Sequence, residues 1–407
     1  MSAADTFLDR LRWGLTGLLC FALLTSWVPQ RWAVSLSQAG AFFLVAAWVA
    51  GRRVYHLPAH LTALLAPPAG AVLLGLVQLA AGKTVYRWET EAAVLNWTVN
   101  LAVLFLALQV FADPAARPKF LRFLLWFGFA LSLLATLQRY TAGGKIFWLF
   151  ESGYEEGQMG PFVYENQYAG FLEVIIPIAL LAALETMRPR FLLVTAVMTA
   201  SVVAAGSMAG AALVAAEILL VFLLAWRARL VGTRRLAAVL PAAALLILLF
   251  GSVVGWDPLL NKARRTDPYR ARGELLLSSL EMHHDRPWMG FGLGTWSTAY
   301  PAYARFDDGL FDNQAHNDWV QWLVEGGIPL LLLMAWMAAM LARPAFGSVW
   351  GIGLLAVLAH CLLDYHFQQR PAFGYLFFAL AAVVRPRGLR TGRAAPTATA
   401  AGCRSPT

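Results

Sequence analysis

Charge is scarce in this chain. Of its 407 residues, 14% are Asp, Glu, Lys or Arg, while 59% are hydrophobic. Soluble domains carry about 25% charge, so the composition excludes an ordinary water-soluble enzyme and leaves no separate soluble domain of useful size. Cysteine is scarcer still, with 3 residues. Cys20 and Cys361 fall inside apolar runs and Cys403 in the tail, a distribution that offers neither a disulfide framework nor metal-ligand spacing. No internal repeat is visible, which counts against a transporter built from inverted repeats around a midplane path. The net charge of +9 comes without a basic stripe interleaved with aromatics outside the apolar runs, so nucleic acid is not an expected partner.

What the chain has in quantity is apolar runs of about 20 residues, the length that crosses a ~30 Å hydrocarbon core as a helix. They fall at 13–28, 32–51, 61–81, 91–112, 119–140, 166–186, 190–206, 209–226, 236–256, 318–341, 347–364 and 371–384. The expected fold class is an all-α polytopic membrane protein with about twelve transmembrane helices. A single transmembrane domain covers 1–385, and the Ala/Pro/Thr/Arg-rich tail over 386–407 is expected to be disordered. The run at 13–28 has no convincing cleavage site after it and reads as an uncleaved first span. Pro67, Pro68, Pro177, Pro241 and Pro329 lie within runs, where neighbouring groups must satisfy the carbonyls they free.

Arg52, Arg53, Arg117, Lys119, Arg188, Arg190, Arg227, Arg229, Arg234, Arg235 and Arg343 occupy short connections on one side, together with the arginine-bearing tail. The positive-inside rule makes that side, and both termini, cytoplasmic. Two longer segments then face out. One is 141–165, with Glu151, Glu155, Glu156 and Glu165. The other is 257–317, where "ARGELLLSSLEMHHD" (271–285) is expected to form a helix on the membrane surface or over a cavity.

Three features of 257–317 carry chemistry. Arg264, Arg265, Arg270, Arg272, Arg286 and Arg305 sit against the usual charge bias; a guanidinium fork matches phosphate oxygens. The alternative is contact with lipid headgroups or pairing with Asp267, Glu274, Glu281 and Asp285. "GFGLGTW" (290–296) looks like a dinucleotide fingerprint but lacks the preceding strand and βαβ unit, so its glycines read as a tight turn with close backbone approach. "AHND" (315–318) opens an apolar helix. Asn317 or Asp318 suits a helix cap, whereas His316 has a side chain able to take a proton from a hydroxyl near neutral pH. His283 and His284 read as surface residues. Glu173, Glu217, His360 and Asp364 read as polar fasteners between helices.

Taken together, three segments resemble the O-antigen ligase/polymerase superfamily over about residues 90–385. They are "GPFVYENQYAGFLEVIIPIAL" (160–180), "RGELLLSSLEMHHDRPWMGFGLGTW" (272–296) and "AHNDWVQWLVEGGI" (315–328). The resemblance implies a C-type, helical membrane glycosyltransferase of the bacterial inner membrane, with its site on the periplasmic side. Such an enzyme moves a glycan from an undecaprenyl-diphosphate carrier to an acceptor hydroxyl on a lipid or glycan, with no cofactor and no metal. It assigns catalysis to His316, as general base, and Arg272, which stabilises the diphosphate leaving group. On the chemistry of the residues themselves, Arg270 and Arg265 are supporting candidates beside Arg272, Asn317 or Gln321 is the candidate to orient sugar, Glu325 either supports that network or has a structural role such as pairing with a buried arginine, and Asn166 and Tyr168 complete the substrate-binding set. One departure stands out: in "GSMAGA" (206–211), Met208 occupies the position where the ligases often carry an arginine. A polymerase of the same superfamily, and a non-enzymatic transporter or scaffold for lipid-linked glycan, are the alternatives.

Overall fold

The computed structural model describes residues 3–51, 57–151, 153, 158–264, 270–305, 309, 312–367 and 371–386. The described chain is mostly helical, with one small antiparallel pair, β1 (Lys145–Ile146) and β2 (Phe150–Glu151), and an isolated bridge between Met159 and Phe162. Its first half contains α1 (Ala3–Leu24), α2 (Arg31–Ala50), α3 (Ala59–Thr62), α4 (Ala66–Ala80), α5 (Arg87–Val110), α6 (Ala116–Thr141), α7 (Glu165–Glu173) and α8 (Ile176–Thr186). Then come α9 (Pro189–Ala205), α10 (Met208–Arg227), α11 (Thr233–Val254), α12 (Asp257–Ala263), α13 (Arg270–Asp285) and α14 (Trp296–Ala299). The last three are α15 (Asp318–Ser348), α16 (Ile352–His360) and α17 (Pro371–Val383).

Eight segments among the described residues are long and apolar enough to cross a membrane: α2, 59–80, α5, α6, 165–186, α10, α11 and α15. Helices α9 and α17 are apolar but shorter. The run expected to cross at 347–364 is not a continuous helix. Within it α16 has 9 residues, about 13 Å of helix at 1.5 Å per residue, and the chain then leaves as an irregular segment carrying Asp364. The tail from 387 onward lies outside the described residues.

Burial separates inner from outer helices. Segment 165–186 is 83% buried over its most apolar window, whereas α11 is 17% buried. The outer face of α11 shows Leu245, Leu248, Leu249 and Val253 to the surroundings, as a lipid-facing helix must. Helix α17 is buried from Ala372 to Val383 and packs on α5. A helix apolar on every side belongs at the centre of a bundle.

Helix α15 breaks one third of the way along. Pro329 lacks an N–H, and its ring crowds the carbonyl four residues back, that of Glu325. Gly327 adopts φ 66°, ψ −168°, a region open essentially to glycine alone. The freed backbone does not go unpaired. The Glu325 carbonyl accepts from the Gly292 amide at 3.1 Å and from Gln78 Nε2 at 2.8 Å. The Val324 carbonyl accepts from the Phe291 amide at 3.0 Å, and the Ile328 amide donates to Pro287 at 2.9 Å. Gln78 Oε1 in turn accepts from the Leu293 amide at 3.1 Å. The break is therefore the dock for 287–294, the turn that follows α13.

That turn needs its glycines for the reason read from the sequence. A Cβ on Gly290 would stand 2.4 Å from the carbonyl oxygens of Val324 and Glu325, and one on Gly327 2.3 Å from that of Trp288. No strand precedes the turn among the described residues. Helix α13 forms where expected and rests on protein. Leu275, Ser278, Ser279 and Met282 share one face at helical spacing, and that face joins Phe291, Trp296, Tyr300 and Val324 in a second, smaller core.

Replacement of Gly327 by Ala is expected to lower the melting temperature of the detergent-purified protein by several degrees, through about 1–3 kcal/mol of backbone strain plus the clash with Trp288. Gly273→Ala, in open space on α13, is expected not to lower it, since alanine favours the helix there by about 0.5–1 kcal/mol. A thermal-shift comparison checks both, and equal melting curves would remove the argument from strain.

Candidate active site

The carboxylate of Asp364 is the point on which the polar groups converge, and its side chain is fully buried. Its Oδ2 accepts from an Arg272 guanidinium nitrogen at 2.8 Å, from the Tyr164 hydroxyl at 2.9 Å and from the Asn166 amide. Its Oδ1 accepts from the Tyr365 amide at 2.9 Å and lies 3.5 Å from His316 Nδ1. The last is an ion-pair distance, longer than an ordinary hydrogen bond. Arg272 and His316 each keep 26% of their side-chain surface accessible. A buried anion is thus bridged to two reachable groups of opposite chemical use: a permanent cation and a proton acceptor.

Each element delivers its residue for a local reason. Arg272 sits in the first turn of α13, held by the docked turn behind it. His316 directly precedes the N-cap of α15 and adopts φ 49°, a left-handed conformation uncommon outside glycine. Asn317 is that cap, its Oδ1 accepting from the Val320 amide at 3.0 Å while its Nδ2 donates to the Leu362 carbonyl at 2.8 Å. Asp318 fastens the other side. Its amide donates to the Cys361 and Asp364 carbonyls, and its Oδ2 accepts from the His366 and Phe367 amides at 2.7 and 3.2 Å. The start of α15 is therefore clamped to the segment that presents Asp364. Aromatic rings frame the centre: Tyr164 stacks on Tyr365 with centroids 5.5 Å apart, and His316 meets the Tyr365 ring edge-on at 4.8 Å.

Charge fixes the ionisation of the centre. Burial raises the Asp364 carboxyl, but contact with His316 and the charge of Arg272 outweigh it and hold the group at about 2, below its ordinary 3.8.

The expected site residues divide. Arg272, His316 and Asn166 meet at Asp364. Asn317 lies at the rim as the cap. Gln321 and Glu325 belong to the layer beneath. Gln321 Oε1 accepts from the Ala315 amide at 3.1 Å, and its Nε2 donates to Gln314 and to Glu325 at 2.6 and 2.9 Å. The Glu325 carboxylate accepts from the Gly294 amide at 2.8 Å and the Trp296 amide at 3.4 Å, so it pins the docked turn and is 2% exposed. Tyr168 is fully buried, with its hydroxyl on Ser201 and its ring against Phe162; this placement corrects the expectation of a substrate contact, because no surface of it is reachable. Arg270 is exposed at the start of α13, and Arg265 lies outside the described residues.

Asp364 and Tyr164 are the residues that sequence reasoning missed. Asp364 was expected to fasten helices, and it does hold four segments together, but at the centre of the site. The available signal was its position, an acid at the same predicted end of its run as His316. Tyr164 stands two residues before Asn166 in the first resembling segment. The "GSMAGA" turn also belongs here. Ser207 donates to Asn166 Oδ1 at 2.6 Å and caps α10 by accepting from the Gly210 amide, which puts Met208 one residue from this network. A nearby cation is Lys262, paired with Glu165.

Two buried groups have metal-type spacing, with ligand atoms within 4.8 Å of one another: Glu173, His360 and His366, and Asp318, Cys361 and His366. Protein partners already engage part of them, since His360 Nδ1 meets Glu173 Oε1 at 2.7 Å and Asp318 holds two backbone amides.

Among the described residues, a helical bundle with eight segments long and apolar enough to cross a membrane carries an arginine–carboxylate–histidine cluster at one end. Residues 193–335 match the family model described as O-antigen ligase. The matched stretch runs from α9 into α15 and contains Arg272 and His316; it supports the O-antigen ligase/polymerase superfamily for this chain, and with it a glycosyltransferase-like role in polysaccharide biosynthesis. Tyr164, Asn166 and Asp364 lie outside it. No curated protein matches the chain.

Because the folded Asp364 value is depressed, its contribution to stability, on the order of 2 kcal/mol, is present above about pH 4 and lost as pH falls toward 2. Wild-type melting temperature is expected to fall across that window faster than that of Asp364→Asn, which has no proton to take up there. Parallel acid profiles of the two proteins would sink the assignment.

Proposed function

We propose that the chain transfers a glycan from an undecaprenyl-diphosphate-linked donor to an acceptor hydroxyl at the extracytoplasmic face of the bacterial inner membrane, without a metal. The observation that carries this reading is the Asp364 carboxylate shared by Arg272 and His316. With Nδ1 of His316 facing Asp364, its Nε2 is the nitrogen that takes the acceptor's proton, and the buried carboxylate orients the ring and stabilises the imidazolium that forms. This is the logic of a base held by a third group. The 3.5 Å gap closes on substrate binding, as catalytic hydrogen bonds often do.

The bond changes balance. The acceptor oxygen forms a bond to the anomeric carbon as the bond from that carbon to the diphosphate oxygen breaks. The electron pair stays on the diphosphate, and the proton goes to His316. The lipid diphosphate gains negative charge on the formerly bridging oxygen, next to the reachable part of Arg272. A guanidinium serves there because it never deprotonates and is held in place beforehand by Asp364 and Tyr164. Arg270, exposed on the same helix, and Arg265 add positive charge for the outer phosphate. Asn166 acts by holding Asp364 and Asn317 by capping α15 at the rim, while Gln321 and Glu325 act by holding the turn. Lys262 is the candidate cation for the place where Met208 stands. The net basic side of the short connections orients the bundle with both termini inside.

Arg272→Ala is expected to lower transfer by about 10²–10³-fold and His316→Ala by about 10²–10⁴-fold, with both proteins inserted and monodisperse. Asp364→Asn preserves shape while removing the charge, and is expected to lose at least about 100-fold. The assay uses purified protein with lipid-linked donor and a hydroxyl acceptor. Full activity of either alanine variant removes that residue from the mechanism. Lengthening of glycan with donor alone marks a polymerase, and capping onto a separate lipid acceptor marks a ligase.

A further inference from the structure

The bundle has a second end, and a cavity of 710 Å³ opens there. The placement follows from helix direction. Helices α7 and α15 begin at the Asp364 centre, α9 ends beside it at Ser207, and α17 follows the segment that carries it. The cavity is lined from the other ends of the same paths, by Thr186 after α7–α8, Arg188 and Arg190 before and in α9, Trp350 beyond α15 and Arg385 beyond α17. None of its lining residues belongs to the candidate active site.

Its lining divides by chemistry. Leu121, Leu125, Ile178 and Leu181 give an apolar wall about one turn long on each of α6 and α8. Arginines 117, 122, 188, 190 and 385 sit toward the mouth, with Glu185 as the acidic residue among the described lining. Among the described residues no ion pair engages these five arginines; the charge of Asp113, itself paired with Arg12, reaches Arg117 from outside the cavity. Arg117 spends two of its donors on the carbonyls of Phe111 and Ala112, at 2.8 and 2.9 Å. Arg385 donates to the Val384 carbonyl at 2.6 Å, while its Nε is buried with no partner. Burial, and then the charge of Arg117, push the Arg385 guanidinium down to about 10. Two cations held near each other in a partly dry place are costly unless an anion joins them.

We propose that this cavity is a binding site for one anionic phospholipid, its phosphate set between Arg117 and Arg385 and an acyl chain against the apolar wall. Both halves of the lining are needed for that occupant. A free anion has no use for a wall of leucine and isoleucine, and a neutral lipid leaves the guanidinium groups without an anion from the membrane. Arg188 and Arg190 guard the rim, where Arg190 also covers the Phe191 ring at 4.9 Å. The cavity end is also the end that carries the short basic connections, the side on which anionic headgroups attract arginine. The proposal stands independently of the glycosyl-transfer reading.

The test is native mass spectrometry of the full-length protein in neutral detergent, titrated with phosphatidylglycerol or with phosphatidylcholine. Wild type is expected to retain one phosphatidylglycerol and to bind phosphatidylcholine at least about tenfold more weakly. Arg117→Gln/Arg385→Gln is expected to lose about tenfold in phosphatidylglycerol affinity. Arg234→Gln/Arg235→Gln removes the same charge at the same end, since α10 runs there from Ser207, but outside the cavity, and is expected to change affinity by less than about twofold. Arg188→Gln/Arg190→Gln, at exposed positions, decides the matter if the half-buried pair cannot be replaced without unfolding; a loss of about threefold or more is expected. Equal binding of the two lipids, an unchanged cavity variant, an equal loss in Arg234→Gln/Arg235→Gln, or displacement of the lipid by millimolar inorganic phosphate would each overturn the proposal.

Discussion

A carboxylate with no solvent exposure must be met by donors or it takes a proton, and the site is arranged around that requirement. Asp364 is met by a guanidinium, a phenol, a side-chain amide, a backbone amide and an imidazole edge, drawn from α13, the entry to α7, its own segment and the entry to α15. Each donor is fixed by the need to satisfy the same two oxygens. One carboxylate joins four segments and at the same time fixes where Arg272 and His316 stand. The two roles are one electrostatic fact.

Holding Arg272 at that carboxylate requires the long loop to be as rigid as the bundle. Among the described residues helix α13 reaches the bundle through its inner face, through Arg272 and through the glycine turn that follows it. The turn is secured by the interruption in α15, where Pro329 and Gly327 release carbonyls that would otherwise be spent within the helix. A membrane interior offers no water to satisfy such groups, so Phe291, Gly292 and Gln78 must. The carboxylate of Glu325, one helical residue from the break, takes two further amides of the turn. A helix defect in the bundle and a row of glycines in the loop are complementary halves of one joint.

The two ends of the bundle differ in how they handle positive charge. At the Asp364 end, Arg272 is matched by a buried anion from the protein. At the other end, Arg117 and Arg385 lie beside an apolar cavity with no carboxylate at ion-pair distance among the described residues. Matched charge suits a centre that must keep its shape through a reaction; unmatched charge suits a place that awaits an anion from the membrane.

Much of this was legible in the chain. Apolar runs gave nearly all the helices, since length and hydropathy are local properties. The α13 helix, the glycine turn and the cap at Asn317 also follow from short-range rules. Arg272 and His316 were singled out through the three resembling segments, and the fold brings both to Asp364. The run at 347–364 misled because apolarity alone does not distinguish a crossing helix from a short one followed by an irregular segment. Tyr168 misled because it sits beside Asn166 in sequence while helix rotation turns it into the core.

The convergence on Asp364 was decided by the tertiary structure alone. Its partners Tyr164 and Arg272 lie 200 and 92 positions away, and no local pattern encodes such distances. The inward turn of Glu325 and the grouping of Arg117 with Arg385 were settled in the same way. Sequence fixes which segments must leave water, because that depends on each side chain's own transfer free energy. Only packing decides which polar groups that burial strands side by side, because that depends on how helices far apart in the chain are laid against each other.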